Sequence, residues 1–223
     1  MSKKVLIIVS NAHGIGPNHR QTGVFLPEAA HPFLEFDKVG YQVDFASLTG
    51  EVPSLDGMEA KDEPENAEFL NGEGWQKMQH NTKLADVNVR TYDAIFVSGG
   101  LAPMVDMPEN PLLKKIIADT YERGAIVGAV CHGPVALLNV KLSDGTFLIK
   151  DKNITSFTTE EEENYAAADV PFDLQAALTN QGGKFHAGTA WALNSIIDGN
   201  LVTGQNPGSA SLTAKNVISL LEA

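Results

Sequence analysis

The sequence predicts an α/β architecture in which a mostly parallel sheet carries helices on both faces. Apolar runs of strand length, rich in Val and Ile, alternate with longer stretches whose hydrophobic residues recur at helical spacing. Gly and Pro punctuate the boundaries between them. With 223 residues, of which 43% are hydrophobic and 20% charged, the chain holds enough apolar material for a substantial core, and a disordered chain is excluded.

The first predicted strand covers residues 4–10. Val24, Phe25, Ala29, Pro32, Phe33 and Phe36 then trace one face of a helix, which Gly40 stops before a second strand over residues 42–47. From residue 51 to 89 the chain turns polar and acidic, with Pro53, Gly57, Pro64, Gly72 and Gly74 as breakers and short helical pieces around Glu68 and Met78. About residues 51–90 therefore read as an elaborated segment. Residues 92–97 read as a buried strand ending in Ser98-Gly99-Gly100, residues 111–123 as an amphipathic helix stopped by Gly124, and residues 125–130 as the next strand. Beyond it we expect a short helix from Pro134, a strand near 153–156, a helix over 172–181, strands near Phe185 and Leu201, and a last helix to Leu221 capped by Ser209. No repeat or low-complexity linker interrupts the chain, so residues 1–223 read as a single domain.

Composition also excludes several functions. The formal net charge of −12 repels a phosphate backbone and anionic lipid heads, and no Lys/Arg stripe offsets it locally, so neither nucleic acid nor a membrane is an expected partner. The longest purely apolar run, Val5-Leu6-Ile7-Ile8-Val9, is about a quarter of a bilayer span. No charged leader with a long apolar region precedes it, and the expectation is a soluble, cytoplasmic protein. The lone cysteine, Cys131, cannot form an internal disulfide, so no oxidising compartment is needed. His13, His19, His31, His80 and His186 share no metal-ligand spacing, and no metal or cofactor is expected. Gly14-Ile15-Gly16 faintly matches a dinucleotide fingerprint, but Pro17 and Asn18 stand where a helix should begin.

The most informative segment surrounds Cys131. A β-branched strand runs straight into it, and Gly133 and Pro134 open a helix directly behind. The sulfur is thereby placed on a sharp strand-to-helix turn at the carboxyl end of a parallel strand, where open α/β sheets hold their ligands. Helix N-terminal amides aimed at a sulfur favour its thiolate, so a lowered thiol pKa is expected. A cysteine used as a small core hydrophobe is the plainer alternative, but it needs neither a Gly-Pro helix start nor an adjacent histidine. His132 titrates near neutrality in its ordinary form and can move protons beside the sulfur. Glu28, early in the first helix among apolar neighbours, reads as a buried carboxyl whose pKa is raised by burial and by a nearby thiolate. Gly99 and Gly100 allow a close backbone approach at a strand end, and Trp191 with Phe185 and His186 reads as a pocket mouth.

Ala129-Val130-Cys131-His132-Gly133-Pro134 resembles the nucleophile-elbow motif of the ThiJ/PfpI superfamily, whose fold is a flavodoxin-like three-layer sandwich of the class I glutamine amidotransferase-like type. The similarity runs over nearly the whole chain, through Thr22-Gly23-Val24-Phe25-Leu26-Pro27-Glu28-Ala29-Ala30-His31-Pro32 and Leu201-Val202-Thr203-Gly204-Gln205-Asn206-Pro207. It is strongest to the glyoxalase III and heat-shock chaperone branch. The resemblance implies a cofactor-free, glutathione-independent conversion of methylglyoxal to lactate, with Cys131 as nucleophile and Glu28 beside the sulfur. It further implies that a carboxylate from residues 160–163, best matched by Glu162, holds His132; the other glutamates of that run read as a solvated helix start. The backbone around Gly99 and Gly100 with the His132 amide is similar to the family's oxyanion hole, and the family's common state is a homodimer. Where the branch usually carries Gly-His-Gly, this chain has Gly100-Leu101-Ala102, so Leu101 is expected to make the substrate-facing roof more apolar.

The expected partner is thus a small reactive carbonyl. Cys131 attacks its aldehyde to form a hemithioacetal, and His132 or Glu28 moves a proton through an enediol. Protein deglycation or stress protection accompanies this activity in the same reading. Two other readings stay open. A Cys-His-Glu set also suits an amidase or peptidase, and an oxidisable cysteine suits a redox-sensing or chaperone-like stress protein.

Overall fold

Seven strands form the central sheet in a computed structural model that describes residues 2–223. In chain order they are β1 (Lys4–Val9), β2 (Gln42–Ser47), β3 (Thr82–Lys83), β4 (Ala94–Val97), β5 (Ile126–Val130), β6 (Ser195–Asp198) and β7 (Leu201–Gly204). Across the sheet the order is β6-β7-β5-β4-β1-β2-β3, and every neighbouring pair is parallel except β6 with β7. Strands buried on both faces need apolar residues at nearly every position, which is what the apolar runs of β1, β4 and β5 supply.

Alternation along each strand sends side chains to two separate cores. Val5, Ile7, Ala94 and Phe96 join Phe33 and Phe36 of α1 (Leu26–Lys38) and Phe69 of α2 (Pro64–Asn71) on one face. Met78 of α3 (Glu73–Gln79) and Val217 of the last helix complete that layer. Leu6, Ile8, Ile95 and Val97 join Met104 of α4 (Pro103–Asp106), Ile117 of α5 (Pro111–Glu122) and the segment from Val135 to Val140 on the other. The result is the flavodoxin-like three-layer sandwich, completed by α6 (Thr159–Glu163), α7 (Leu174–Asn180) and α8 (Ala210–Leu221). No helix of the described residues is long and apolar enough to cross a membrane.

The structure departs from the sequence reading at the sheet edges. β6 is not among the expected strands; it folds back antiparallel on β7 through Gly199, whose φ of 61° glycine adopts without steric cost. The strand expected near 153–156 is confined to Asn153–Ile154 and pairs with Lys184–Phe185 outside the main sheet. Ser209 does not cap α8 with its side chain, because its hydroxyl donates to Asn206 Oδ1 at 2.9 Å and accepts from the Asn194 amide at 3.0 Å. The polar segment after residue 51 lays Leu55–Asp56 against Val24–Phe25 and supplies β3 as the far edge of the sheet.

Gly128 in β5 lies opposite Phe96 in β4. A Cβ there would stand 2.8 Å from Phe96 Cδ2 and 3.1 Å from Val217 Cγ2, so α8 owes its close approach to this glycine. We expect Gly128→Ala to destabilise the protein by about 1–3 kcal/mol through overpacking. A urea titration should show a lower midpoint at unchanged slope.

Candidate active site

The strand-to-turn junction forms as expected, with one residue carrying its strain. Cys131 follows β5 directly and has φ 60°, a left-handed conformation that costs a non-glycine residue roughly 1–2 kcal/mol. It is held by its own amide, which donates to Gly204 O at 3.0 Å, and by its carbonyl, which accepts from the Phe157 amide at 2.9 Å. Behind it Gly133–Leu137 forms a 3₁₀ helix. A Cβ at Gly133 would meet Val97 O at 2.6 Å, so only glycine lets that turn pack against β4.

Three charged or titratable groups converge on the sulfur from different parts of the chain. His132 Nδ1 lies 3.2 Å from Cys131 Sγ, and His132 Nε2 lies 2.7 Å from Glu162 Oε2. With Nε2–H donated to the carboxylate, Nδ1 is left as the acceptor facing the thiol. The imidazole is fully buried, and the Phe157 ring covers it at a centroid distance of 4.5 Å. Glu28 comes from the first turn of α1, also fully buried. A side chain at Gly99 would run into Glu28 Oε2 and approach Cys131 Cβ, so the carboxyl, the sulfur and the Gly99-Gly100 backbone share one crowded space. Neither Glu28 carboxyl oxygen has a hydrogen-bond partner of ordinary geometry, so the Gly99 and Gly100 amides act on the carboxyl, and the Gly100 and His132 amides on the sulfur, only as weak pulls.

Burial pushes the Glu28 carboxyl up to about 8, against the opposing pull of Cys131 and the Gly100 and Gly99 amides. Glu28 is therefore a neutral acid at neutral pH. The expected lowering of the thiol is corrected: burial first, and Glu28 second, push Cys131 up, while the Gly100 and His132 amides pull it down. The physical reason is that a short 3₁₀ turn offers a weaker field than a full α-helix, and a buried site penalises a bare thiolate. The proton on this sulfur therefore needs an acceptor, and His132 Nδ1 is the one within reach.

Other expectations require revision. Leu101 is fully buried and packs in the core that holds Leu6, Met104 and Val135, whereas Cys131 belongs to the core on the other face. It offers no surface to a substrate, so the predicted apolar roof does not come from this residue. Phe185 packs against the Leu101 side of the molecule, and His186 Nε2 pairs with Asn153 Oδ1 at 2.8 Å, so neither joins Trp191 at the site. Of the four successive glutamates, Glu161 as well as Glu162 is buried. Glu161 closes a capping box with Thr158, and its Oε1 accepts from the amide of Trp191 at 2.8 Å, Gln205 Nε2 at 3.0 Å and Asn206 Nδ2 at 2.8 Å. The Thr-x-x-Glu spacing is a legible capping signal, but the distant donors are not.

Sequence reasoning also missed the aromatic surround. Phe157 meets Trp191 edge-on at 5.5 Å and Tyr165 at 5.8 Å, and Arg20 lies 4.7 Å over the Tyr165 ring while donating to Tyr165 O at 3.3 Å. Burial, and then Asp56, push the Tyr165 phenol up, so it remains a neutral donor. Among the described residues, no group of three His, Cys, Asp or Glu side chains is placed to share a metal ion.

Fold and site together define an α/β protein of the doubly wound type with a cysteine on a strained turn at the end of a central parallel strand. The chain belongs to the DJ-1/PfpI family, whose model matches residues 21–220. It is 33% identical over 240 residues to glyoxalase 3 of Candida albicans, covering 100% of this chain and 99% of the relative. It is 34% identical over 239 residues to the glutathione-independent glyoxalase HSP31 of Saccharomyces cerevisiae, covering 99% and 98%. The crystal structure of glyoxalase III from Candida albicans superposes with a TM-score of 0.89 at 31% identity over 98% of this chain and 97% of that one. The rapid encystment protein of 24 kDa from Francisella tularensis gives 0.93 at 32% identity, over 98% and 99%.

The neutral state of Glu28 has a consequence for stability. An unfolded glutamate loses its proton near 4.5, whereas folded Glu28 keeps it to about 8. The contribution is fully present below the lower value and is lost at about 1.4 kcal/mol per pH unit as pH rises toward the higher one. Glu28→Gln removes this dependence. Thermal melts should show the variant gaining on the native protein between pH 5 and pH 8; a difference that stays constant with pH would mean that Glu28 ionises normally.

Proposed function

We propose that this protein is a glutathione-independent glyoxalase that converts small 2-oxoaldehydes, methylglyoxal among them, to 2-hydroxy acids with Cys131 as nucleophile. The observation that carries this reading is the buried relay from Cys131 Sγ through His132 to Glu162, with links of 3.2 Å and 2.7 Å. Full-length similarity to glyoxalases supports the substrate class.

The relay accounts for each proton. As the sulfur attacks the aldehyde carbon, His132 Nδ1 takes the thiol proton and Glu162 stabilises the imidazolium. The amides of Gly100 and His132 hold the developing oxyanion, which then receives that proton and becomes a hemithioacetal. Neutral His132 removes the hydrogen from the former aldehyde carbon, the hydroxyl proton on that carbon passes to the neighbouring carbonyl oxygen through the enediol, and His132 returns its proton to the neighbouring carbon as the first carbon becomes the thioester carbonyl. The product is a thioester of a 2-hydroxy acid, and water cleaves it, releasing the acid and restoring the thiol. Glu28, protonated, stays beside the sulfur as a neutral hydrogen-bond donor and avoids a second negative charge in a buried site.

Lactate formation from methylglyoxal by glutathione-free protein tests the reading directly. Cys131→Ala should abolish it. His132→Ala and Glu162→Gln should each lower kcat by roughly 10²- to 10⁴-fold, the range for a lost proton-transfer partner. Native rates in the Cys131→Ala protein would refute the nucleophile. A His132→Ala variant with unaltered kcat would remove the relay.

A further inference from the structure

Trp191 stands one ring away from His132, across Phe157, with a strained backbone. Its φ is 64°, a left-handed backbone that a bulky residue adopts at roughly 1–3 kcal/mol. The amide of this strained residue donates to Glu161 Oε1 at 2.8 Å, and Glu161 is fully buried and fixed by Thr158, Gln205 and Asn206. The very next residue, Glu162, holds His132. One short helix therefore anchors the proton relay and the Trp191 backbone together.

A tryptophan fixed in this way would ordinarily be expected to bury its ring, yet Trp191 is 50% exposed. Its indole stands edge-on to Phe157 at 5.5 Å and to Tyr165 at 6.5 Å, and Phe157 covers His132. Tyr165 is itself 36% exposed. The rings thus continue outward from the buried imidazole as an aromatic wall that is covered at its inner end and open at its outer end. Apolar aromatic surface left open next to a reactive group favours an apolar or aromatic ligand tail.

We infer that Trp191 is a specificity-determining residue that receives the side group of the 2-oxoaldehyde, favouring aryl over methyl substituents, with Glu161 as its positioning residue. This rests on the glyoxalase reading for its substrate class. It replaces Leu101 as the source of apolar preference.

The test uses two measurements. In turnover, the ratio of kcat/KM for phenylglyoxal to that for methylglyoxal should fall roughly 3- to 10-fold in Trp191→Ala and be largely kept in Trp191→Phe, because a ring contact is lost in one and retained in the other. Glu161→Gln, which weakens the anchor, should lower the ratio in the same direction. The second measurement does not need turnover. Cys131 is the only cysteine, so its alkylation by phenacyl bromide and by bromoacetone can be followed by intact mass. The phenacyl-to-acetonyl rate ratio should fall in Trp191→Ala and hold in Trp191→Phe. An unchanged alkylation ratio in Trp191→Ala overturns the inference even if the protein is a glyoxalase. Absence of hydroxy-acid formation in the native protein, with the alkylation ratio still shifting, would overturn the glyoxalase reading and leave the aromatic wall standing.

Discussion

The site depends on one backbone constraint, the left-handed residue at the end of β5. An ordinary extended residue at this position would carry the chain onward in the direction of β5. At φ 60° the chain reverses instead, and the sulfur meets His132 on the same side of the turn. The surrounding structure over-determines this geometry. β7 accepts the Cys131 amide, the Phe157 segment donates to its carbonyl, and Gly133 permits contact with Val97. Strain of this size persists only where several neighbours impose it.

The constraint also explains why the site is so closely packed. Turning the sulfur inward brings it against Glu28 from α1, and burial then decides protonation for both groups. A carboxylate and a thiolate cannot both be charged in that space without solvent, so burial favours the protonated form of each. His132 bridges Cys131 Sγ and Glu162 Oε2, and Glu162 fixes which imidazole nitrogen faces the sulfur. Glu161, one residue away, uses the opposite strategy. Its charge is satisfied by donors from Thr158, Trp191, Gln205 and Asn206, and it organises backbone rather than protons.

Much of this was legible from the residues. The strand runs of β1, β4 and β5 declared themselves as continuous apolar runs rich in Val and Ile, and the Cys131-His132-Gly133-Pro134 succession marked a turn with a reactive group on it. Those signals are local: propensity, punctuation and adjacency act within a few residues. Leu101 shows where local reading fails. Its position after the glycines is correct for a site residue, but the side chain points to the face opposite Cys131, a choice made by how the α4 segment packs.

The sequence by itself determined most of the alternation of strands and helices, though not β3 or β6, together with the turn at Cys131 and its pairing with His132, because each follows from short-range stereochemistry. Only the tertiary structure decided that the Cys131 thiol is pushed up rather than down, that Glu161 as well as Glu162 faces inward, and that Trp191 rather than Phe185 or His186 stands by the relay. Those outcomes depend on desolvation and on contacts between segments more than 25 residues apart, such as Glu161 with Trp191. How far burial opposes a particular charge is a property of the assembled layers, and local pattern does not encode it.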